Sequence, residues 1–374
     1  MKIWIDGYEA NVPQRLGSSR VAFELIKHLE KLDHRNEYTI LLPNSPMDDF
    51  PKARAGFNYK IIRPKRLWTT ISLPLALFKE KEKPDLFFSP THYIPRFSNV
   101  KKVALIFDLS FLHFPQYFQR KDLWKLTNAT MFIAKNASHI ITISNSSKQD
   151  IIKTYGVDKG KVTVAYPGYS EELFYIDKNQ TKIDSIKSKY NIEGEYVIFV
   201  GTIQPRKNLI KLISVFSKID NLKLVIVGKT TGLGRQAWMF EDILKRPRQL
   251  GIEDKVIFTG FIPDNEINIL LNGASAFILP SLWEGFGMPV LDAMAVGCPV
   301  IVSNISSLPE VVGNAGLLVD PNSENQIEQA IRTITTDKKL AAKKAKACLV
   351  QAQKFSWQKM AKTVLKVLEE TASA

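Results

Sequence analysis

Short runs of continuous apolar, β-branched residues recur along this chain, separated by segments of helical period. This alternation constrains the fold more than any other feature. In the first half the runs are Lys2–Asp6, Tyr38–Leu42, Tyr59–Ile62, Leu86–Ser89, Val103–Asp108, Ile140–Ile143 and Val162–Ala165. In the second half they are Tyr196–Gly201, Leu222–Gly228, Val256–Thr259, Ala276–Leu279, Val300–Ser303 and Leu317–Val319. Most lack polar–apolar alternation, as strands buried on both faces of a parallel sheet do. Patterns such as Ser19–Leu32 and Leu209–Ile219 supply the helices between them. A length of 374 residues is too great for one ordinary core. The expected class is therefore α/β, with two layered parallel-sheet domains and ligand sites at the carboxyl ends of strands. The domain boundary is expected between Pro167 and Glu195.

Composition excludes several alternatives. The chain is 45% hydrophobic and 24% charged, as a globular protein is. Its two cysteines, Cys298 and Cys348, lie in apolar settings and read as small core residues, which favours a reducing compartment. The five histidines lack metal-ligand spacing; His92 and His113 follow predicted strands and are placed to line a cleft. The N-terminus reads as a first strand and not as a leader, and no apolar run reaches the roughly 18–20 residues that span a bilayer.

Net charge is +14, concentrated toward the first half. From Lys52 to Lys83, nine basic residues face only Glu80 and Glu82, and they flank the apolar stretch Leu67–Phe78. Such a segment is either a core helix with a solvated basic flank or an element that lies on an anionic membrane surface. Without a base-reading motif, a nucleic-acid partner is not expected.

Two turns carry chemistry. After the strand ending at Leu279 comes Pro280-Ser281-Leu282-Trp283-Glu284-Gly285-Phe286-Gly287-Met288-Pro289, then Asp292. Gly285 and Gly287 permit a close backbone approach, Pro289 suits the first helical position, and Asp292 is expected in the first helical turn. The helix start would favour an anion, flanked by Glu284 and Asp292 as hydroxyl acceptors. The second turn is Gly201-Thr202-Ile203-Gln204-Pro205-Arg206-Lys207-Asn208. There a planar guanidinium and a compact ammonium fit a diphosphate. Gly232-Leu233-Gly234-Arg235-Gln236-Ala237 matches the letters of a dinucleotide fingerprint but not its strand–turn context, and is assigned to a loop and helix start. That failure removes a nicotinamide oxidoreductase. No D-x-D pair and no phosphate-binding P-loop occurs.

Taken together, these residues resemble glycosyltransferase family 4 (group 1), retaining enzymes of the GT-B type. The two turns and Ser306-Ser307-Leu308-Pro309-Glu310 are its most specific parts; supporting stretches are Asp108-Leu109-Ser110-Phe111-Leu112-His113-Phe114-Pro115, Ser144-Asn145-Ser146-Ser147-Lys148, Tyr166-Pro167-Gly168 and Phe355-Ser356-Trp357. The resemblance implies two Rossmann-like domains facing a central cleft: an acceptor domain over 1–175 and a donor domain over 176–354. A final helix, 355–374, would pack back toward the first domain.

It further implies that Arg206 and Lys207 bind the donor diphosphate and Glu284 holds donor-sugar hydroxyls, helped by the backbone of Gly285, Phe286 and Gly287. Gly201 belongs to the same donor-binding set. Asp292 would grip the ribose, Gly17 would approach the phosphates, and Asp108 is carried as a catalytic candidate. The implied activity is metal-independent, retaining transfer of a hexose from a nucleotide-diphosphate sugar to a glycan or lipid-linked hydroxyl in cell-surface polysaccharide synthesis. The 108–115 stretch resembles mannosyltransferase members, so GDP-mannose is the expected donor. The sugar nucleotide is a substrate and no cofactor is expected. The expected location is the cytoplasm, peripheral at the inner membrane face. Three departures stand out: Asp292 replaces a second glutamate, Phe107 stands where the family has a histidine beside the transferring sugar, and Leu16-Gly17-Ser18-Ser19-Arg20 has serine where a second glycine is common. Phe107 and Asp292 motivate an alternative, a nucleotide-sugar-binding protein without transferase activity; a UDP-sugar donor is another.

Overall fold

The computed structural model describes residues 1–229 and 240–374, so the Gly232–Ala237 stretch lies outside the described residues. The chain forms two compact units. One comprises residues 1–113, 120–168 and 356–374, and the other 114–119 and 169–355.

The first unit carries a parallel sheet of β1 (Lys2–Asp6), β2 (Glu37–Leu42), β3 (Phe57–Ile61), β4 (Leu86–Ser89), β5 (Lys101–Ile106), β6 (His139–Thr142) and β7 (Val162–Val164). Its order is β3-β2-β1-β4-β5-β6-β7, with Ile5 opposite Ile40 on one side and Phe88 on the other. Ile3, Ile5, Ile40, Phe87, Phe88 and Val103 have no exposed surface, which explains why these strands read as unbroken apolar runs. Helix α1 (Ser18–Leu32) buries Val21, Ala22, Leu25, Ile26 and Leu29, spaced for one helical face. Helix α2 (Leu73–Lys79) follows a π-helical turn, Trp68–Ser72.

The second unit carries β8 (Tyr196–Val200), β9 (Lys223–Val227), β10 (Val256–Gly260), β11 (Ala276–Leu279), β12 (Val300–Ser303) and β13 (Leu317–Val319), all parallel, in the order β10-β9-β8-β11-β12-β13. Helix α3 (Leu209–Phe216) follows β8 and α4 (Met288–Ala295) follows β11. Cys298 and Cys348 are free and buried, and burial raises both thiols, Cys348 to about 12.

The last helix, α5 (Trp357–Ser373), belongs to the first unit, where it packs on α1 and on β4, β5 and β6. Ser356 caps it by accepting from the Lys359 N–H at 3.2 Å. Gly168 lies against this start: a Cβ there would sit 2.1 Å from the Trp357 nitrogen, so no side chain fits. Two stretches far apart in sequence, Tyr166-Pro167-Gly168 and Phe355-Ser356-Trp357, thus meet at one backbone crossing. Among the described residues no helix is long and apolar enough to cross a membrane.

Candidate active site

In the second sheet the chain leaves β8 for β9 and β10, then returns to start β11 on the other side of β8. Such a reversal opens a crevice at the carboxyl ends of the two central strands, where ligands bind in sheets of this kind. Both chemistry-bearing turns hang there. After β8, Pro205–Lys207 forms a 3₁₀ turn and Asn208, left-handed at φ 61°, opens α3. A Cβ at Gly201 would lie 3.9 Å from Lys207 Cε, so the strand end sits close beneath the lysine.

After β11, Gly287 (φ 98°) caps α4, and a Cβ there would stand 2.8 Å from Leu308 Cδ2. Glycine is therefore required both by conformation and by space. Gly285 does not share the left-handed backbone. The helix opens at Met288, which corrects two expectations: Pro289 takes the second helical position, and Asp292 falls just past the first turn. Asp292 is buried, with 7% exposure. The Phe286 ring is buried edge-on against Phe355, so this residue offers a ligand only its backbone.

Three ionised side chains converge at this edge. Lys207 Nζ donates to Glu284 Oε1 at 2.6 Å, and Arg206 NH1 lies 3.5 Å from Glu284 Oε2. Side-chain exposure is 8% for Glu284, 10% for Lys207 and 14% for Arg206. Burial, the largest single influence, pushes the Glu284 carboxyl upward. The combined attraction of Lys207 and Arg206, with the lysine's hydrogen bond, outweighs it and leaves the group below the usual carboxylate range. Glu284 is thus an ionised acceptor and not an acid. Removing one member of such a buried pair costs on the order of 3–5 kcal/mol, because the other is left uncompensated.

Backbone and serine contacts hold the triad. Leu282 N–H donates to the Arg206 carbonyl at 2.8 Å, and the Arg206 guanidinium donates to the Trp283 carbonyl. Ser306 Oγ accepts from Glu284 N–H at 3.0 Å, Ser307 Oγ donates to the Glu284 carbonyl at 2.9 Å, and Ser303 Oγ donates to the Ser281 carbonyl at 2.7 Å. The sequence reading quoted Ser306-Ser307 within the family resemblance but gave neither serine a role, and it read Ser303 only as the end of a buried strand.

Gly17 and Asp108 belong to the first unit, not to this triad. Gly17, at φ 56°, precedes α1 with open space where a Cβ would stand. The strand β5 stops at Ile106, so Phe107 and Asp108 lie in the loop beyond it, a correction to the expected Val103–Asp108. Asp108 Oδ1 accepts from Ser110 N–H at 2.8 Å and starts the short helix Ser110–His113.

The first sheet reverses between β1 and β4. At the end of β1, Asp6 Oδ1 accepts from Tyr8 N–H at 3.0 Å and Trp68 Nε1 at 2.9 Å; burial nonetheless pushes its carboxyl up to about 7. Beyond β4, His92 Nε2 accepts from Phe107 N–H at 3.3 Å, which places its proton on Nδ1. That Nδ1 is sealed from solvent without a partner, and burial lowers the imidazole to about 4. His113 lies instead 2.8 Å from Asp150. Among the described residues no group of three or more His, Cys, Asp or Glu side chains is placed to hold a metal ion.

The family described as "Glycosyl transferases group 1" matches residues 181–355, and "Glycosyltransferase Family 4" matches residues 16–173. The chain belongs to the group 1 glycosyltransferases. Its two-sheet fold is the GT-B fold. It resembles sucrose-phosphate synthase from Thermosynechococcus elongatus at a TM-score of 0.79 and 18% identity, over 99% of this chain and 98% of the other. It is 26% identical to O-antigen chain mannosyltransferase B of Escherichia coli, over 91% of this chain and 93% of that protein. It is 32% identical to the serotype-specific mannosyltransferase WbdA of Escherichia coli over 60% of this chain, which spans only 28% of that larger protein. Within this group 1 transferase, the matched 181–355 region contains both turns of the triad and all three bracing serines.

Proposed function

We propose that this protein is a retaining glycosyltransferase that moves mannose from GDP-mannose to a hydroxyl of a glycan or lipid-linked acceptor in cell-surface polysaccharide synthesis, without a metal ion. The observation that carries this reading is the convergence of Lys207 and Arg206 on ionised Glu284 at the reversal of the second sheet. In the transfer, the bond between the anomeric carbon and the diphosphate oxygen breaks. A bond to the acceptor oxygen forms on the same face, and the acceptor proton passes to the departing phosphate. Lys207 and Arg206 offset the charge that grows on that phosphate, the task a metal performs in other transferases. Glu284 accepts from donor-sugar hydroxyls through the oxygen that Arg206 holds loosely, and Asp292 accepts from the ribose. Gly17 and Asp108 act from the first unit, which binds the acceptor. Mannose is favoured by the 108–115 stretch and by the mannosyltransferase relatives.

The test is nucleoside-diphosphate release from GDP-mannose, UDP-glucose and ADP-glucose with a panel of acceptors, with and without EDTA, and NMR of the product. The expected result is acceptor-dependent GDP release, insensitive to EDTA, with the donor's anomeric configuration kept. An inverted product, loss of turnover in EDTA, or turnover with UDP-sugars alone would overturn the corresponding part.

A further inference from the structure

Glu9 stands just past β1, at the reversal of the first sheet, and the donor chemistry makes no use of it. It is half-buried, and Ser18 Oγ donates to its Oε2 at 2.8 Å. Its other oxygen, Oε1, takes no hydrogen bond from the described residues, yet it is not sealed from solvent. An ionised carboxylate has about four acceptor positions, so Glu9 is under-satisfied. Burial pushes its carboxyl upward, against the Ser18 hydrogen bond and the Lys125 charge.

The loop that carries Glu9 is fixed at several points. Arg15 Nε donates to the Ala10 carbonyl at 2.7 Å, and the same guanidinium pairs with Asp49 and lies over the Phe23 ring, 3.7 Å from its centre. Asn11 Nδ2 donates to the Ser45 carbonyl at 2.9 Å, and Met47 N–H donates to Asn11 Oδ1 at 3.0 Å. The carboxylate is thus held by a braced backbone, as a binding group must be. Its partner Ser18 opens α1, whose first turn has no acid of its own, so Glu9 is the anion at that helix's positive end. Room stands beside Ser18: nothing lies within 4 Å of where a Cβ on Gly17 would be.

Charge decides what can fill that room. Arg15 is engaged by Asp49, which leaves Lys125, on the helix Arg120–Asn136, as the cation that acts on Glu9. Lys125 Nζ is itself placed over the Tyr93 ring, 4.7 Å from its centre. Glu9 and Lys125 offset each other. A charged ligand would upset that balance, whereas an uncharged one that donates hydrogen bonds would not. Adjacent hydroxyls of a sugar ring supply two such donors, and they satisfy Oε1 without adding charge.

We propose that Glu9 Oε1 accepts from adjacent hydroxyls of the uncharged terminal sugar of the acceptor, so that the first unit recognises a neutral glycan end and not a phosphate. Lys125 is the positioning residue that keeps the carboxylate available. The proposal rests on the reading of the first unit as the acceptor unit.

Saturation-transfer NMR on the full chain with GDP present tests this, with methyl α-mannoside, methyl α-glucoside and mannose phosphate as probes. A neutral glycoside is expected to bind the wild type more tightly than mannose phosphate does. Glu9→Gln should weaken that binding at least about tenfold, the loss of one hydrogen bond to a charged acceptor. The variant should keep the wild-type affinity for GDP and melt no lower than the wild type, which separates a lost contact from lost folding. Absence of glycoside binding, equal binding by Glu9→Gln, or tighter binding of mannose phosphate would overturn the proposal. In the transferase assay, Glu9→Gln should raise the acceptor KM at least about tenfold and leave the donor KM unchanged. An unchanged acceptor KM would overturn the proposal and leave the transferase reading standing; Glu9-dependent glycoside binding without turnover of any donor would do the reverse.

Discussion

The two sheets are wound alike, each reversing once between adjacent strands, but their reversal points handle buried charge in opposite ways. At β8 and β11, Lys207, Arg206 and Glu284 are buried together, and the two cations hold the Glu284 carboxyl below the usual carboxylate range. At β1 and β4, the buried groups are driven toward their neutral forms: Asp6 is raised to about 7 and His92 lowered to about 4. A site of paired charges is built to exchange an internal anion contact for an external one, as a diphosphate would require. A site of neutral donors and acceptors suits hydroxyl groups instead. One backbone plan thus carries two electrostatically opposite sites, set by the few residues at the strand ends.

The contrast is broken most severely at Lys207. Lys207→Met strands Glu284 without its 2.6 Å partner. It is expected to cost about 3–5 kcal/mol in denaturant unfolding and at least about a hundredfold in transferase turnover. Lys207→Met/Glu284→Gln, with both charges gone, should be more stable than the sum of the single losses implies.

Asp6→Asn should act in the opposite sense. With a folded value near 7 against an ordinary 3.8, the folded chain holds a proton that the unfolded chain releases. Stability from Asp6 is therefore full below about pH 4 and lost as pH rises to about 7. The amide keeps the oxygen that Tyr8 and Trp68 contact, so the variant should be stabilised at neutral pH by a few kcal/mol, with a flatter stability profile between pH 4 and 7.

His92 and Glu284 both weaken the fold in acid. The unfolded chain protonates His92 near 6.5, whereas the folded chain resists until about 4, so stability falls as pH drops through that window. His92→Gln should remove that slope. The lowered carboxyl of Glu284 contributes stability above the ordinary carboxylate value and loses it as pH falls through the folded value, so Glu284→Gln, besides the loss from leaving Lys207 and Arg206 uncompensated, should flatten the most acidic limb. The smallest effect is expected from Ser306→Ala, which deprives Glu284 N–H of its acceptor and should cost about 1 kcal/mol in the same unfolding measurement.

Strands were the legible part of the sequence, because burial on both faces writes itself as a continuous apolar run. Their ends were less so. β5 begins at Lys101, since buried Lys102 curls its ammonium back onto the Ser98 and Val100 carbonyls, and a lysine gives no strand signal. Both site turns could be found as glycine- and proline-bearing segments after strands. The Lys207–Glu284 pair could not be seen, since its members lie 77 positions apart and each was assigned separately to the ligand. The apolar stretch Leu67–Phe78 was visible as such, but not which of its residues are exposed (Leu67, Ile71, Leu75, Phe78) and which buried (Trp68, Leu73, Leu77), since both sets are apolar.

The central claim, that the triad at the β8–β11 reversal grips a diphosphate, is tested most directly by calorimetric titration with GDP and with GMP. The wild type should bind GDP at least about tenfold more tightly than GMP, a difference of about 1.4 kcal/mol. Arg206→Met and Lys207→Met should abolish that preference while still binding GMP, and Asp6→Asn should leave it unchanged. An undiminished preference for GDP in both cation variants would contradict the account.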